Sequence, residues 1–142
     1  MVIKMQAEAL DAFMHEVFEQ VAEDFAVEEV CPGEITVRLR VTHKHLRPGG
    51  TISGPSMFAL ADVSAYLMTL AMIGPEALAV TTNCAIDFMR KPAAGVDLIA
   101  KGRLLKLGKV LSVSDVMLYS EGMEEPVARA SLTYAIPPRR GV

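Results

Sequence analysis

Asp62 is the residue whose setting most demands an explanation. It interrupts an otherwise apolar run from Met57 to Ile73 that carries Phe58, Leu60, Ala61, Val63, Tyr66, Leu67, Met68, Leu70 and Met72. Burying a carboxylate is tolerated only with compensating partners, so acids in such settings recur at functional sites. The alternative is an acid satisfied by a backbone N–H or at a subunit interface. Upstream, Ser53 is a good N-cap and Pro55 suits the first helical turn. The helix therefore starts here, and the free N–H groups near Gly54 and Ser56 face outward with the positive end of the helix dipole. Such donors suit a developing oxyanion, and a glycine lets a ligand approach the backbone closely. On one helix, positions 54 and 62 are about 12 Å apart at about 1.5 Å per residue, too far to act on one atom. They converge only across a two-fold axis, with Gly54 of one subunit facing Asp62 of its mate.

Other chemistries thin out quickly. No GxSxG elbow, Walker A, GxGxxG or HExxH occurs. His15 lies on the solvent face of an amphipathic helix. His43 and His45 form an HxH that would share one face in an extended chain; without a third ligand, ordinary loop histidines are the simpler reading. No metal or redox cofactor is expected. Cys31 and Cys84 are too few and too far apart for a disulfide framework, and no CxxC is present. A net charge of −3 gives no whole-chain pull toward nucleic acid. The amino terminus lacks the apolar core and cleavage site of a secretory signal, and the apolar run is short for a membrane span. A soluble cytoplasmic protein is expected.

The elements that must position these residues follow from periodicity. At 142 residues, 51% hydrophobic and 22% charged, the chain fits one ordered domain over residues 1–142. Residues 6–25 place Leu10, Phe13, Met14, Val17, Phe18, Val21 and Phe25 at helical spacing, predicting an amphipathic helix. After the Pro32-Gly33 turn, Glu34 to Thr42 alternates as a half-buried strand. A polar connection then leads to the central helix, which Gly74-Pro75 ends. Residues 79–89 read as a strand with Cys84, Ile86 and Phe88 inward. Val96–Leu107 and Val110–Ser120 form a hairpin around Leu107-Gly108-Lys109. Val127–Ile136 is the last strand, with Ala130, Leu132 and Tyr134 on one face, and Pro137-Pro138-Arg139-Arg140 ends it. Hairpin-connected strands beside few helices indicate α+β with an antiparallel sheet. A helix apolar on all sides requires that sheet to curve around it.

From about Glu34 to Ile136, these residues resemble the hot-dog-fold acyl-CoA thioesterases of the phenylacetic acid degradation type. The family's central pattern, HxNxxGxxHGGxxxxLAD, is met by His45-Leu46-Arg47-Pro48-Gly49-Gly50-Thr51-Ile52-Ser53-Gly54-Pro55 and, in register, Leu60-Ala61-Asp62. The downstream pattern is met by Phe88-Met89-Arg90-Lys91-Pro92-Ala93 with Gly95, Leu98 and Ala100, and the Lys106–Lys109 turn also looks like the family. The combination and spacing carry the resemblance; no single piece does.

The resemblance implies a curved antiparallel sheet around a central helix, paired through strand edges into a homodimer, or a homotetramer by further pairing. It implies an acyl-CoA substrate, with Asp62 as nucleophile or general base and the Gly54 amide polarising the thioester carbonyl. Thr82 falls where relatives carry a Ser or Thr that helps position water. Two positions depart from the pattern: Arg47 replaces the family's Asn and Ser53 its His. Ser53 reads first as the helix cap. Arg47 is suited to an anionic acyl group or a phosphate, or sits in solvent. Arg47, Ser53 and Pro55 around Gly54, with Arg90, Lys106 and Lys109 for coenzyme A phosphates, are the candidate substrate contacts. Exposed strand-end cations are the plainer reading of the last three. Two rival functions remain: a hot-dog dehydratase or hydratase, disfavoured by the lack of a histidine near the helix, and a non-catalytic acyl-CoA binder or sensor.

Overall fold

The computed structural model describes residues 1–138; Arg139 and Arg140 of the expected terminating run lie outside the described residues. The elements are α1 (Ala7–Val17), β1 (Phe25–Cys31), β2 (Glu34–Leu39), α2 (Gly54–Ile73), β3 (Val80–Phe88), β4 (Leu98–Leu107), β5 (Leu111–Ser120) and β6 (Pro126–Ala135). The strands form one sheet in the order β1-β2-β4-β5-β6-β3, and every neighbouring pair is antiparallel. This is the α+β hot-dog architecture.

The helix α2 packs against all six strands. Six strands at about 4.8 Å span about 24 Å, twice the width of a helix, so only a curved sheet brings each of them to α2. The helix buries residues from Met57 through Met72 on nearly every side. It is long and apolar enough to cross a membrane, but most of it lies inside the protein, and the core accounts for its apolarity. Its buried hydroxyls are satisfied: Ser64 donates to the Leu60 carbonyl at 2.6 Å, and Thr69 to the Ala65 carbonyl at 2.9 Å. At its carboxyl end the Ala71 carbonyl accepts the N–H groups of Lys4 and Met5, so the amino-terminal segment satisfies one of the helix's orphan acceptors. One stripe stays open. Pro55 and Phe58 are exposed and Ala59 and Asp62 half-buried, at the three- and four-residue spacing that defines a single face.

Two expectations about elements need correction. The amino-terminal helix ends at Val17, not Phe25, and residues 25–31 form β1. Phe18, Val21 and Phe25 keep helical spacing, yet Phe25 and Val27 are buried with Ala26 between them, a strand pattern set by pairing with β2 across the Pro32-Gly33 turn. Tertiary pairing outweighs local propensity here. The second correction is Phe88, expected inward but 52% exposed. It ends β3, an edge strand with a neighbour on one side only, whose register with β6 shifts between Thr81 and Asn83.

Candidate active site

The start of α2 is fixed by a short, strongly determined loop. Thr42 N–H donates to His45 Nδ1 at 2.9 Å, which leaves the ring proton on Nε2, 3.5 Å from Asp24 Oδ2. His43 and His45 therefore sit on a 3-10 turn, not an extended segment, and His45 is a buried anchor. Among the described residues no group of three or more His, Cys, Asp or Glu converges on a metal position. From there the chain makes a small hairpin. Gly50 N–H donates to the Arg47 carbonyl at 3.0 Å, and Arg47 N–H to that of Thr51 at 2.8 Å. Pro48 followed by Gly49 at φ +97° supplies the residues of a type II turn. Ser53 N–H then donates to the His45 carbonyl at 2.8 Å, which aims the first turn of α2.

Ser53 caps that turn, its Oγ accepting the Ser56 N–H at 3.3 Å. Pro55 has no N–H, and Met57 N–H donates to the Ser53 carbonyl. No described residue takes the Gly54 N–H. Gly54 opens onto a cavity of about 410 Å³ lined by Arg47, Thr51, Ile52, Met57, Phe88, Arg90, Lys91 and Pro92. Three cations thus gather around the positive end of α2. Arg90 is partly committed, to the Pro126 carbonyl and to Glu125, each at 2.8 Å. Lys106 and Lys109 lie elsewhere. Lys106 pairs with Val113, which faces Thr133, whereas Phe88 beside Gly54 faces Ala128. Five residues of strand put the hairpin about 17 Å along the sheet, toward Thr81 and Tyr134.

Asp62 occupies that other end. Its Oδ1 accepts two hydroxyl hydrogen bonds, from Thr81 at 2.6 Å and from Tyr134 at 2.8 Å. Tyr134 also lies 3.0 Å from the Asp62 carbonyl. Burial first, and then the Asp62 charge, push the Tyr134 phenol well above the ordinary tyrosine range, so it remains a donor. A cavity of about 420 Å³ opens beside Asp62, walled by Phe18, Val63, Tyr66, Thr81 and Tyr134 among others. Its aromatic rings brace one another. Phe18 meets Tyr66 edge-on at 6.1 Å, and Tyr66 meets Tyr134 at 6.0 Å. Within one chain, then, Gly54 and Asp62 line separate cavities.

Thr82 sits at the register shift of β3, its hydroxyl donating to the Thr133 carbonyl at 3.3 Å. In this chain the threonine that reaches Asp62 is Thr81. Sequence reasoning missed both Thr81 and the role of Tyr134. For Tyr134 a signal existed, since a tyrosine on an inward strand face needs a partner for its hydroxyl.

A family model of the thioesterase superfamily matches residues 49–127, from the turn before α2 to the start of β6. The chain belongs to the thioesterase superfamily. It is a thioester hydrolase. Among solved structures, a candidate thioesterase from Silicibacter sp. TM1040 is 57% identical with a TM-score of 0.91, over 97% of this chain and 96% of its own. A mutant of the phenylacetic acid degradation protein of Thermus thermophilus is 28% identical with a TM-score of 0.69, over 89% and 99%. Human acyl-coenzyme A thioesterase 13 is 25% identical over 118 residues, 82% of each chain. The resemblance read from the motifs holds at the level of the family and its fold.

Proposed function

We propose that the protein hydrolyses an acyl-CoA thioester in a site shared by two copies of the chain, with Asp62 from one and the Gly54 N–H from the other. The observation that carries this reading is the split site on one helix. An acid held by two hydroxyls and an unpartnered N–H at a helix start open onto different cavities, about 12 Å apart along the axis. A two-fold axis at the middle of β3 would join them. That strand is an edge with exposed Val80 and Phe88, and uncovered edges pair readily. The opposite edge, β1, is partly occupied: α1 packs on it, and Asp11 Oδ1 accepts the Val27 N–H. Antiparallel pairing of β3 with its copy sets the Thr81 end of one chain, which holds Asp62, against the Phe88 end of the other, which adjoins Gly54. The same operation sets Lys106 and Lys109 of one copy toward the end that carries Arg47, Arg90 and Lys91 of the other.

In this reading the Gly54 N–H takes the charge that develops on the thioester oxygen. Asp62 either attacks the carbonyl carbon or draws a proton from the attacking water, and the coenzyme A thiolate leaves and is reprotonated. The acyl-CoA class rests on the relative named for it and on the basic surroundings of Gly54. Arg47, where the family pattern has Asn, suits a phosphate or an anionic acyl group. Ser53 serves as the cap.

Free thiol release from acetyl-, hexanoyl-, palmitoyl- and phenylacetyl-CoA tests the reading. Asp62→Asn keeps the shape and removes the charge. Turnover of the best substrate should fall about 100- to 10,000-fold, the range of a positioned proton-transfer group, with acyl-CoA binding retained. If wild type releases no thiol from any of the four, the protein binds acyl-CoA without hydrolysing it or acts on another thioester. An Asp62→Asn variant as fast as wild type removes Asp62 from the mechanism.

A further inference from the structure

We propose that Tyr134 and Thr81 act together as a clamp on Asp62 Oδ1 and so make Oδ2 the oxygen that reacts. This rests on the reading of Asp62 as the acid of the hydrolase. A carboxylate has two equivalent oxygens and exchanges them by rotation about its last bond. Here the symmetry is broken. Thr81 from β3 and Tyr134 from β6 both donate to Oδ1, at 2.6 and 2.8 Å, and no described residue donates to Oδ2. Donors on two different strands fix the plane of the group as well as its position. Oδ1 spends its lone pairs on them, while Oδ2 keeps its own for chemistry. As base, Oδ2 accepts the proton of a water whose oxygen bonds to the carbonyl carbon, and that proton ends on the departing thiolate. As nucleophile, Oδ2 itself forms the bond to carbon as C–S breaks, and water then hydrolyses the mixed anhydride.

The clamp is itself held rigid. The Tyr134 ring packs on Tyr66, and Tyr66 on Phe18, while the Tyr66 hydroxyl donates to the Ala77 carbonyl at 3.0 Å. A tyrosine that served only to fill the core would satisfy its hydroxyl on the Asp62 carbonyl, 3.0 Å away; the carboxylate contact is additional. Positioning residues of this kind act through the group they hold, and misplacement of a reacting group by about 1 Å can cost about 100-fold. The titrating neighbours of Asp62 are Tyr66 on its own helix, Tyr134 on β6 and Cys84 on β3. Burial raises all three, with Glu76 adding to Tyr66 and Asp62 to the other two. None of them loses its proton at neutral pH, so the Tyr134 hydroxyl stays a donor to Oδ1.

The test is steady-state hydrolysis of the fastest of the four acyl-CoAs by Tyr134→Phe, Thr81→Val, Thr81→Ser and Asp62→Asn in the assembled protein. Tyr134→Phe keeps the ring packing and removes one donor. Its kcat should fall about 10- to 100-fold with KM within about threefold of wild type. Thr81→Val should behave alike, and Thr81→Ser, which keeps the hydroxyl, should restore most of the rate. A lower melting temperature with wild-type kcat and KM in Tyr134→Phe and Thr81→Val, beside an inactive Asp62→Asn, overturns the clamp and leaves the hydrolase reading standing. If Tyr134→Phe does not fold, the Thr81 pair decides on the same criteria. Hydrolysis unchanged in Asp62→Asn removes Asp62 as the reacting acid and the clamp with it, while no thiol release by wild type from any of the four defeats the acyl-CoA reading on which the clamp rests.

Discussion

The nearest atoms to a β-carbon added at Gly54 would be those of the Phe88 ring, from 3.5 Å, an ordinary contact. Space for a methyl group is therefore present, and the backbone there is regular helix, so the fold does not require glycine at this position. What glycine offers is unobstructed approach to its N–H from the basic cavity. Gly54→Val should fold and assemble, yet lose turnover by about 100-fold or more, the scale of removing an oxyanion donor. Gly54→Ala should retain more activity than Gly54→Val. Normal turnover in folded Gly54→Val would take this N–H out of the mechanism. Asp62 shows the complementary case. The sequence marks it as an acid in an apolar helix, but its two hydroxyl partners come from β3 and β6, distant in the chain, and only the sheet brings them together.

The central helix was legible in the sequence almost residue for residue. Ser53, Pro55 and Gly74 are local signals with local causes, and the structure places the cap and the stop where they indicate. Signals that depend on pairing were less legible. Helical spacing runs on past the end of α1 to Phe25, the first residue of β1, and pairing with β2 makes Phe25–Cys31 a strand. The distinction between Thr81 and Thr82 rests on a register shift, and a one-residue slip turns a strand's side chains to opposite faces. No local pattern announces such a shift. At the element scale, Ser53 separates capping from catalysis. Ser53→Ala removes the acceptor for the Ser56 N–H and should lower stability by about 1 kcal/mol, read as a fall in melting temperature or denaturant midpoint. Its turnover at a temperature where it stays folded should change far less than that of Gly54→Val. A large rate loss with unchanged melting would make Ser53 a catalytic side chain.

At the scale of the whole molecule, the open stripe of α2 and the free edge of β3 pose one question: whether the site is completed by a second copy. Symmetric pairing makes the prediction quantitative. Asp62→Asn and Gly54→Val each disable every site in their own homodimers. In a hybrid dimer with one subunit of each kind, one site receives both lesions. The other receives Asp62 from the Gly54→Val subunit and Gly54 from the Asp62→Asn subunit, and is intact. Random pairing of equal amounts makes about half the dimers hybrid, each with one working site of two. Co-expressed variants should therefore recover about one quarter of wild-type turnover per chain, far above either variant alone. Light scattering on the same preparations should show a dimer or a multiple of it. If Asp62 and Gly54 worked within a single chain, no mixture would restore a site, and activity would remain at the average of the two inactive parents. Parental activity in the mixture, with tagged subunits showing that hybrids had formed, would rule out the shared site. A stable, fully active monomer would rule it out as well.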